Sequence, residues 1–312
     1  MLVAWLLPFG LAHGNGYPSK PIRLVLPFAA GGGIDSAGRA LAAGLQAELG
    51  QPVVVDNRAG ASGTIAANAV RTAEPDGYTL LVATTNILSF PASVLRGKNF
   101  DARTDFTPVS QIFEAPLSLA VNAASPITDL RGLISAARKQ PGKLTYGSYG
   151  VATTSHFCVE ELKRRVGVSM VHVPYRGVPT LDLVGGQIDV VCDTVSPIMP
   201  FVKAGTVRII AVTTNERSRF APDVPTASEQ GTSGLVVTTW SAIVAPKGTP
   251  AEIVARLNAA IGKVLRSSEL QERVGALGYE AKPSTPEELR RFIEAESSRW
   301  QALVSEAKIS AE

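Results

Sequence analysis

Two glycine-rich loops are the segments of this chain best suited to hold a ligand. The first, residues 27–35, contains Gly31, Gly32 and Gly33, and the second, residues 146–156, contains Gly147 and Gly150. Each follows a strand-like run and precedes a helix-like one. Glycine lets the backbone approach a ligand closely, and the N–H groups at a helix start attract an anion. Two such loops, more than a hundred residues apart, predict two lobes that close on a small carboxylate.

The first loop does not match the motifs of nucleotide-binding proteins. Ser36 stands where the dinucleotide fingerprint needs its third glycine, and the chain contains no Walker sequence. A tight turn before a helix is the simpler alternative for this loop. The two cysteines and three histidines show no spacing typical of a metal site. We therefore expect neither a cofactor nor a metal.

The second loop carries several hydroxyl groups that suit carboxylate oxygens. A serine hydrolase is the alternative, with His156 acting as the base for Ser148 or Ser155. The nucleophile elbow of such enzymes needs a residue between glycine and serine, and here Gly147 precedes Ser148 directly. No convincing acid partner is apparent, and His156 is more simply explained as packing or hydrogen bonding at a helix start. We expect a protein that is not an enzyme.

Polar residues also follow two candidate strands. Asp193 comes directly after the apolar run 188–192, and Thr85 and Asn86 follow the strand that ends at residue 83. Ligands of α/β proteins bind at this edge of the sheet. Asp193 could accept a hydrogen bond from a ligand amine or hydroxyl, or hold a water. Helix or loop capping is the structural alternative for all three.

Other candidates are less specific. We expect the side chains of residues 85–90 and 149–153 to select among ligands. Trp240 could form a wall of the cleft. Arg58, Arg176 or Arg217 could pair with a second carboxylate of the ligand.

Strands and helices alternate along the chain, which predicts an α/β protein with parallel strands. Asp35 is a candidate N-cap for a helix that ends at Gly50, and Thr285 begins a capping box in the last helix. The pattern restarts after residue 120 and returns near 228. We therefore expect one lobe from residues 15–120 plus 228–312 and a second from 121–227, joined by a two-crossing hinge that permits closure.

Composition narrows the function further. The chain has 312 residues, 45% of them hydrophobic, and its net charge of +3 is dispersed, so nucleic-acid binding is not expected. Residues 1–14 are typical of a signal peptide, although the positively charged residues that usually begin one are missing. A buried N-terminal segment is the alternative. Export would allow Cys158 and Cys192 to pair. Two buried thiols are the simpler expectation, because one cysteine lies on a helix and the other in a strand.

The chain resembles the substrate-binding proteins of tripartite tricarboxylate transporters, also called Bug receptors. The resemblance extends from Tyr17 to Ile309. It rests on the order and spacing of short motifs: Tyr17-Pro18, Pro21-Ile22-Arg23, Pro27-Phe28, Gly31-Gly32-Gly33 with Asp35, Val55-Asp56-Asn57-Arg58-Ala59-Gly60-Ala61, Pro75-Asp76-Gly77-Tyr78, Asp105-Phe106-Thr107-Pro108, Pro141-Gly142-Lys143-Leu144, Gly147-Ser148, Ser155-His156, Val173-Pro174-Tyr175-Arg176-Gly177, Gly185-Gly186-Gln187-Ile188-Asp189, Ala221-Pro222-Asp223 and Ala245-Pro246-Lys247-Gly248.

The resemblance implies a type II periplasmic-binding-protein fold with two three-layer α/β lobes. It also implies a monomeric periplasmic receptor that captures a small organic carboxylate and passes it to a membrane permease of this transporter type. A sensory protein that signals to a membrane kinase is an alternative that the sequence does not separate. The ligand-binding residues implied by the family motifs, partly through ordered waters, are Phe28, Ala29, Gly33, Asp35, Ser148, Gly150, Thr154, Ser155 and Asp193.

Overall fold

The computed structural model describes residues 16–95, 97–175 and 177–310. The expected signal peptide and Arg176 lie outside these residues. Ten strands are present in the described part of the chain. They are β1 (Ile22–Leu26), β2 (Val53–Asn57), β3 (Thr79–Thr84), β4 (Phe106–Asn122), β5 (Thr145–Ser148), β6 (Val171–Pro174), β7 (Val190–Thr194), β8 (Val207–Val212), β9 (Thr238–Pro246) and β10 (Glu280–Ala281).

Ten α-helices alternate with these strands in the same described ranges, and two short 3₁₀ turns, Ala61–Gly63 and Ala92–Val94, accompany them. The helices are α1 (Gly33–Leu49), α2 (Thr64–Arg71), α3 (Thr85–Ser89), α4 (Leu130–Lys139), α5 (Thr154–Val166), α6 (Thr180–Val184), α7 (Val195–Lys203), α8 (Ala251–Leu265), α9 (Ser268–Ala276) and α10 (Pro286–Glu306).

The long strand β4 connects two groups of strands. The order along the sheet is β2-β1-β3-β9-β4-β7-β5-β6, with β8 and β10 also paired to β4. The first half of β4, from Phe106 to Pro116, pairs antiparallel with β9. The second half, from Leu117 onward, pairs with β7 and β8. Strands β1, β2 and β3 are parallel to one another, as are β5, β6 and β7. The α/β class expected from the alternation is confirmed.

Helices cover both faces of each group of strands, and apolar side chains fill the space between. In the first group, α1, α8 and α9 pack on one face, and α2, α3 and part of α10 pack on the other. In the second group, α4 and α5 cover one face and α6 and α7 cover the other. These layers place the carboxyl ends of the parallel strands, and the loops that follow them, around one shared opening.

Helix α10 contacts both groups of strands. Its start has the expected capping box, in which Thr285 and Glu288 bond each other's backbone N–H. Leu289 packs against the first group, whereas Trp300 packs against the second group beside Phe157 of α5. The last turns of α10 are therefore a further contact between the two halves of the molecule.

Two expectations about local structure are wrong. Gly32, not Asp35, is the N-cap of α1, so the helix begins three residues earlier than a cap at Asp35 would place it. Cys158 and Cys192 form a disulfide rather than two thiols. Helix α5 packs directly on β7, which brings the two Cα atoms to 6.3 Å, within the range that a disulfide needs.

No helix in the described ranges combines the length and the apolar character that crossing a bilayer requires.

Candidate functional site

A cleft of about 830 Å³ lies where the loops of both groups of strands meet. Both glycine-rich loops contribute to it, and so do residues 59–63, Asn86 and the end of β7. Its described lining residues are Pro27, Phe28, Ala29, Ala59, Gly60, Ser62, Gly63, Asn86, Val94, Leu95, Leu117, Tyr149, Val151, Ala152, Thr153, Thr154, Ser155, Asp193, Thr194, Pro197, Thr239 and Tyr279. Six of the expected ligand-binding residues line the cleft: Phe28, Ala29, Asn86, Thr154, Ser155 and Asp193.

Asp35 shapes the first loop from behind rather than lining the cleft. Its buried carboxylate accepts hydrogen bonds from the Gly31 N–H at 2.9 Å, the Arg39 side chain at 3.0 Å and the Asn57 amide at 2.8 Å. The Asn57 amide also donates to the Phe28 carbonyl. The bond from Arg39, followed by those from the backbone and Asn57, lowers the pKa of Asp35 to about 2. Asp35 therefore positions Phe28 at the cleft wall.

Gly33 begins α1 beside the cleft without lining it. A Cβ added there would lie 3.3 Å from the hydroxyl of Tyr279, which does line the cleft. Glycine thus allows the start of α1 to approach the Tyr279 ring.

A third loop, residues 59–63, also lines the cleft and was not among the expected site residues. Gly60 and Gly63 have positive φ angles, and so do Ala61 and Ser62, at 46° and 53°. Non-glycine residues rarely adopt this region, and such strain is concentrated at binding sites. The sequence signal was a run of small residues between a strand and a helix, the same pattern as in the other two loops.

Asn86 fastens this third loop to the end of β3. Its amide donates to the Ser62 carbonyl at 2.7 Å, and its Oδ1 accepts from Thr84 at 2.6 Å. Thr85 does not face the cleft as expected. Its hydroxyl is buried and bonds the backbone N–H and carbonyl of Trp240, because the side chain points toward β9. Thr85 therefore ties the start of α3 to β9.

The second loop folds around the buried hydroxyl of Ser148. That oxygen accepts from the Gly150 N–H at 3.1 Å and donates to the Gly150 carbonyl at 3.0 Å. Neither Ser148 nor Gly150 is among the described lining residues of the cleft. Gly150 has a φ of 118°, a conformation that requires glycine. Both residues hold the turn that presents the next five residues, 151–155, to the cleft.

Helix α5 begins at the cleft. Thr153 is its N-cap and accepts from the His156 N–H, while the Ser155 hydroxyl accepts from the Tyr149 N–H at 3.2 Å. The first N–H groups of any helix lack an acceptor within the helix. Thr154 and Ser155 are themselves lining residues of the cleft, so this end of the helix suits an anion.

Asp193 lies near the end of β7 with its carboxylate at the cleft. Oδ2 accepts from the Tyr149 hydroxyl at 2.6 Å, and Oδ1 accepts from the Thr194 N–H at 2.7 Å. Burial raises the pKa of Asp193, although the bonds from Tyr149 and Thr194 act in the opposite direction. Thr194 is the N-cap of α7. Asp193 therefore faces the ligand space instead of capping that helix.

The histidine beside Ser148 is His172, not His156. Ser148 Oγ and His172 Nε2 are 2.6 Å apart, whereas His156 Nδ1 accepts from the Ala152 N–H at 3.1 Å. The two imidazole rings stack with centroids 4.0 Å apart. Burial, followed by the His172 and Lys163 charges, lowers the pKa of His156 to about 3. Ser148 is completely buried, so this pair supports the second loop from beneath.

The remaining candidates lie away from the cleft lining. Arg58 pairs with Asp56 at 2.9 Å, and Arg217 pairs with Glu229 at 3.0 Å. Trp240 is 2% exposed and packs against Phe292 on α10, so it belongs to the core.

Asp193 is the one acidic side chain among the described residues of the cleft lining, which include no lysine, arginine or histidine. Phe28 and Tyr149 each leave 40% of their surface exposed there. In the described ranges no group of three histidine, cysteine, aspartate or glutamate side chains is arranged to hold a metal ion. Backbone N–H groups, hydroxyls and the aromatic rings of Phe28, Tyr149 and Tyr279 are therefore the main contacts that the cleft offers.

A second cavity of about 810 Å³ lies between residues 88–105 and α10. Its Lys98 ammonium donates to the carbonyls of Ile87 and Phe90 at 2.9 and 2.6 Å. Burial lowers the pKa of Lys98 to about 8. These contacts fix the local chain, and none of the described lining residues of this cavity belongs to a strand, so the first cleft is the better candidate for ligand binding.

The family model described as "Tripartite tricarboxylate transporter family receptor" matches residues 37–309. The chain belongs to this family. A curated relative, the "UPF0065 protein in tcbD-tcbE intergenic region" of Pseudomonas sp. strain P51, is 37% identical over 95% of this chain and 89% of its own length. The resemblance inferred from the sequence motifs is thereby confirmed, and the family is one of receptors rather than enzymes.

Solved structures of similar proteins superpose on this chain. The periplasmic binding protein BugD is 32% identical with a TM-score of 0.75, covering 95% of this chain and all of that one. Rpa4515 of R. palustris, solved with adipate, is 36% identical with a TM-score of 0.79 over the same shares. MatC of Rhodopseudomonas palustris, with bound malate, is 34% identical with a TM-score of 0.73, covering 92% of this chain and all of its own. These similarities confirm the periplasmic-binding-protein fold.

Proposed function

We propose that this protein is a periplasmic receptor that captures a small organic carboxylate in the cleft and delivers it to a membrane permease of the tripartite tricarboxylate transporter type. The observation that carries the proposal is the convergence of three strand-to-helix loops and the start of α5 on one cleft. Adipate and malate in two related structures support a carboxylate as the ligand.

The chemistry of the cleft favours capture without a covalent step. N–H groups at a helix start stabilise a carboxylate without a cation. The buried Ser148 has no face on the ligand space, and His156 is neutral and bonded to the Ala152 N–H. We therefore propose that the bound molecule leaves unchanged.

Closure of two lobes around the ligand is part of the proposal. The lobes are residues 15–120 plus 228–312 and residues 121–227, and β4 and the chain before β9 cross between them. Because Trp300 packs beside Phe157, the end of α10 must move with the second lobe or slide over it during closure. Rearrangement near Trp300 would give a fluorescence change on ligand binding.

A thermal-shift screen of residues 15–312 against small carboxylates tests the proposal. A ligand that binds the folded protein alone raises its melting temperature. We expect at least one carboxylate to do so and to be recovered unchanged by NMR after prolonged incubation. Turnover, or a screen in which no carboxylate binds, would contradict receptor function.

Delivery to a permease is tested in cells that lack this gene. Loss of uptake of the identified carboxylate, restored by the wild-type gene, is the expected result. Unchanged uptake together with a lost transcriptional response to the carboxylate would instead support the sensory alternative.

A further inference from the structure

We infer that Tyr279 is a ligand-binding residue whose hydroxyl donates a hydrogen bond to the carboxylate that the cleft captures. This inference rests on the proposed function and adds to it a contact that lies in neither glycine-rich loop. Tyr279 stands between α9 and β10 and belongs to none of the motifs that carry the family resemblance. It nevertheless lines the cleft together with Phe28 and Asp193.

The first step of the argument is the hydrogen-bonding state of the Tyr279 hydroxyl. It is the one tyrosine hydroxyl of the six in the chain that has no partner among the described residues. The partners of the other five are the Gly77 carbonyl for Tyr17, the Ser19 N–H for Tyr78, Glu160 for Tyr146, Asp193 for Tyr149 and Asp182 for Tyr175.

The Tyr279 oxygen is also accessible. In the described ranges, the polar side-chain atoms that are both fully buried and without a partner belong to Trp240, Ser241 and Arg299. The Tyr279 oxygen has no partner and is not one of them, so it is open to solvent. A tyrosine that lines the cleft therefore keeps its hydroxyl available for a ligand.

The second step is the kind of ligand group that suits this hydroxyl. Burial raises the pKa of Tyr279, so at neutral pH the hydroxyl retains a hydrogen to donate. Its oxygen lies at the start of α1, 3.3 Å from the position that a Cβ of Gly33 would occupy. The N-cap Gly32 offers no side chain to the first N–H groups of this helix, which favour an anion. Asp35 on the same turn is offset by Arg39 at 3.0 Å. A carboxylate is therefore the matching acceptor.

The third step is how the segment that carries Tyr279 is held. Arg219, which follows β8, donates from Nη2 to the Tyr279 carbonyl at 3.1 Å, and its Nε lies 3.9 Å from Oε1 of Glu280. A Cβ added to Gly278 would lie 2.4 Å from the Cβ of Ser196 on α7. Both contacts come from the second group of strands and its helices. Arg219 is thus a positioning residue that acts on the ligand through Tyr279.

Removing the hydroxyl alone tests the contact. Titration calorimetry at neutral pH compares wild type, Tyr279→Phe and Tyr78→Phe, each with the carboxylate that gives the wild type its largest thermal shift. A hydrogen bond to a charged group is stronger than one between neutral groups, so Tyr279→Phe should weaken binding by about tenfold or more. Tyr78 lies outside the described cleft lining, and Tyr78→Phe should retain the wild-type affinity. Melting temperatures without ligand establish that each variant is folded.

A double-mutant cycle tests the role of Arg219. Arg219→Ala should weaken binding in the wild-type background and have little further effect in Tyr279→Phe, because the hydroxyl that Arg219 positions is already absent. A merely structural role would weaken binding equally in both backgrounds. Arg256 is exposed on α8, and Arg256→Ala is the control, with wild-type affinity expected.

The outcomes separate the inference from the proposed function. If the wild type binds a carboxylate and a folded Tyr279→Phe protein binds it equally well, the inference alone is overturned. A Tyr78→Phe protein that is weakened to the same extent also overturns it, because the loss would not be specific to the cleft. Independent effects of Arg219→Ala and Tyr279→Phe would refute the positioning role of Arg219. If no carboxylate binds the wild type, the proposed function fails together with the inference.

Discussion

The hydroxyl of Tyr149 donates a 2.6 Å hydrogen bond to Oδ2 of Asp193, which joins the second glycine loop to strand β7 at the cleft. Tyr149 is 40% exposed and lines the cleft. Burial and the nearby Asp193 charge raise the pKa of Tyr149, so the hydroxyl remains a donor throughout the neutral range. One bond thus orients both an aromatic wall and the carboxylate of the site.

Removing the Tyr149 hydroxyl should weaken ligand binding moderately. In Tyr149→Phe the loop loses its tie to β7, and a hydrogen bond of this kind contributes about 1 kcal/mol, or roughly fivefold in affinity. Tyr149→Ala also removes the wall and should change the order of affinities across a carboxylate panel. Calorimetry measures both effects. Identical affinities across the panel in Tyr149→Ala would exclude a role in selectivity.

The carboxylate of Asp35 should make part of the stability pH-dependent. Its pKa is lowered from 3.8 to about 2 in the folded protein, mainly by the bond from Arg39. The stabilisation is therefore present above pH 4 and is lost as the pH falls toward 2. Urea unfolding of wild type and Asp35→Asn should show a difference in free energy that shrinks over this range. A difference that stays constant with pH would contradict the assigned ionisation, and exposed Asp223→Asn provides the control.

The disulfide between Cys158 and Cys192 should contribute substantially to stability. It closes a segment with a sequence separation of 34, for which the loop-entropy relation gives about 3–4 kcal/mol. Replacing both buried cysteines with alanine should lower the free energy of unfolding by an amount of this order. Dithiothreitol should destabilise the wild type and leave the double variant unchanged. Equal sensitivity of the two proteins to the reductant would indicate that the bond is absent.

His156 should lower the stability in mildly acidic solution. Its pKa falls from 6.5 to about 3 on folding, chiefly through burial. Between these values the unfolded chain binds a proton that the folded protein does not, so the stability decreases as the pH falls from 6.5 toward 3. His156→Asn keeps a possible acceptor for the Ala152 N–H and should show a shallower pH dependence of unfolding. An unaltered slope would show that His156 does not titrate in this way.

The architecture was largely predictable because each strand and helix carries its own periodic pattern. The end of α1 at Gly50 and the capping box at Thr285 depend on neighbours in sequence, and both were found. The full length of β4 was not predicted, because its first half pairs with β9 and its second half pairs with β7. The disulfide was missed because it depends on how α5 packs on β7, which no local pattern reports.

Of the loops that line the candidate site, only the two glycine-rich ones were predicted from the sequence. The loops around Gly31 and Gly150 were recognised, but the third loop depends on Ala61 and Ser62 adopting left-handed conformations that their types do not favour. The histidine partner of Ser148 depends on the pairing of β5 with β6, which aligns Tyr146 with His172. Such pairings between distant segments determine which polar groups meet.

The central claim, that the cleft between the loops binds a small carboxylate, is tested most directly by blocking it. Ala29 is exposed and lines the cleft, and its neighbour Ala30 is exposed outside the described lining. With the carboxylate that gives the largest thermal shift, calorimetry should show that Ala29→Trp abolishes binding while Ala30→Trp retains wild-type affinity. Undiminished binding by a folded Ala29→Trp protein would place the ligand elsewhere and contradict the account.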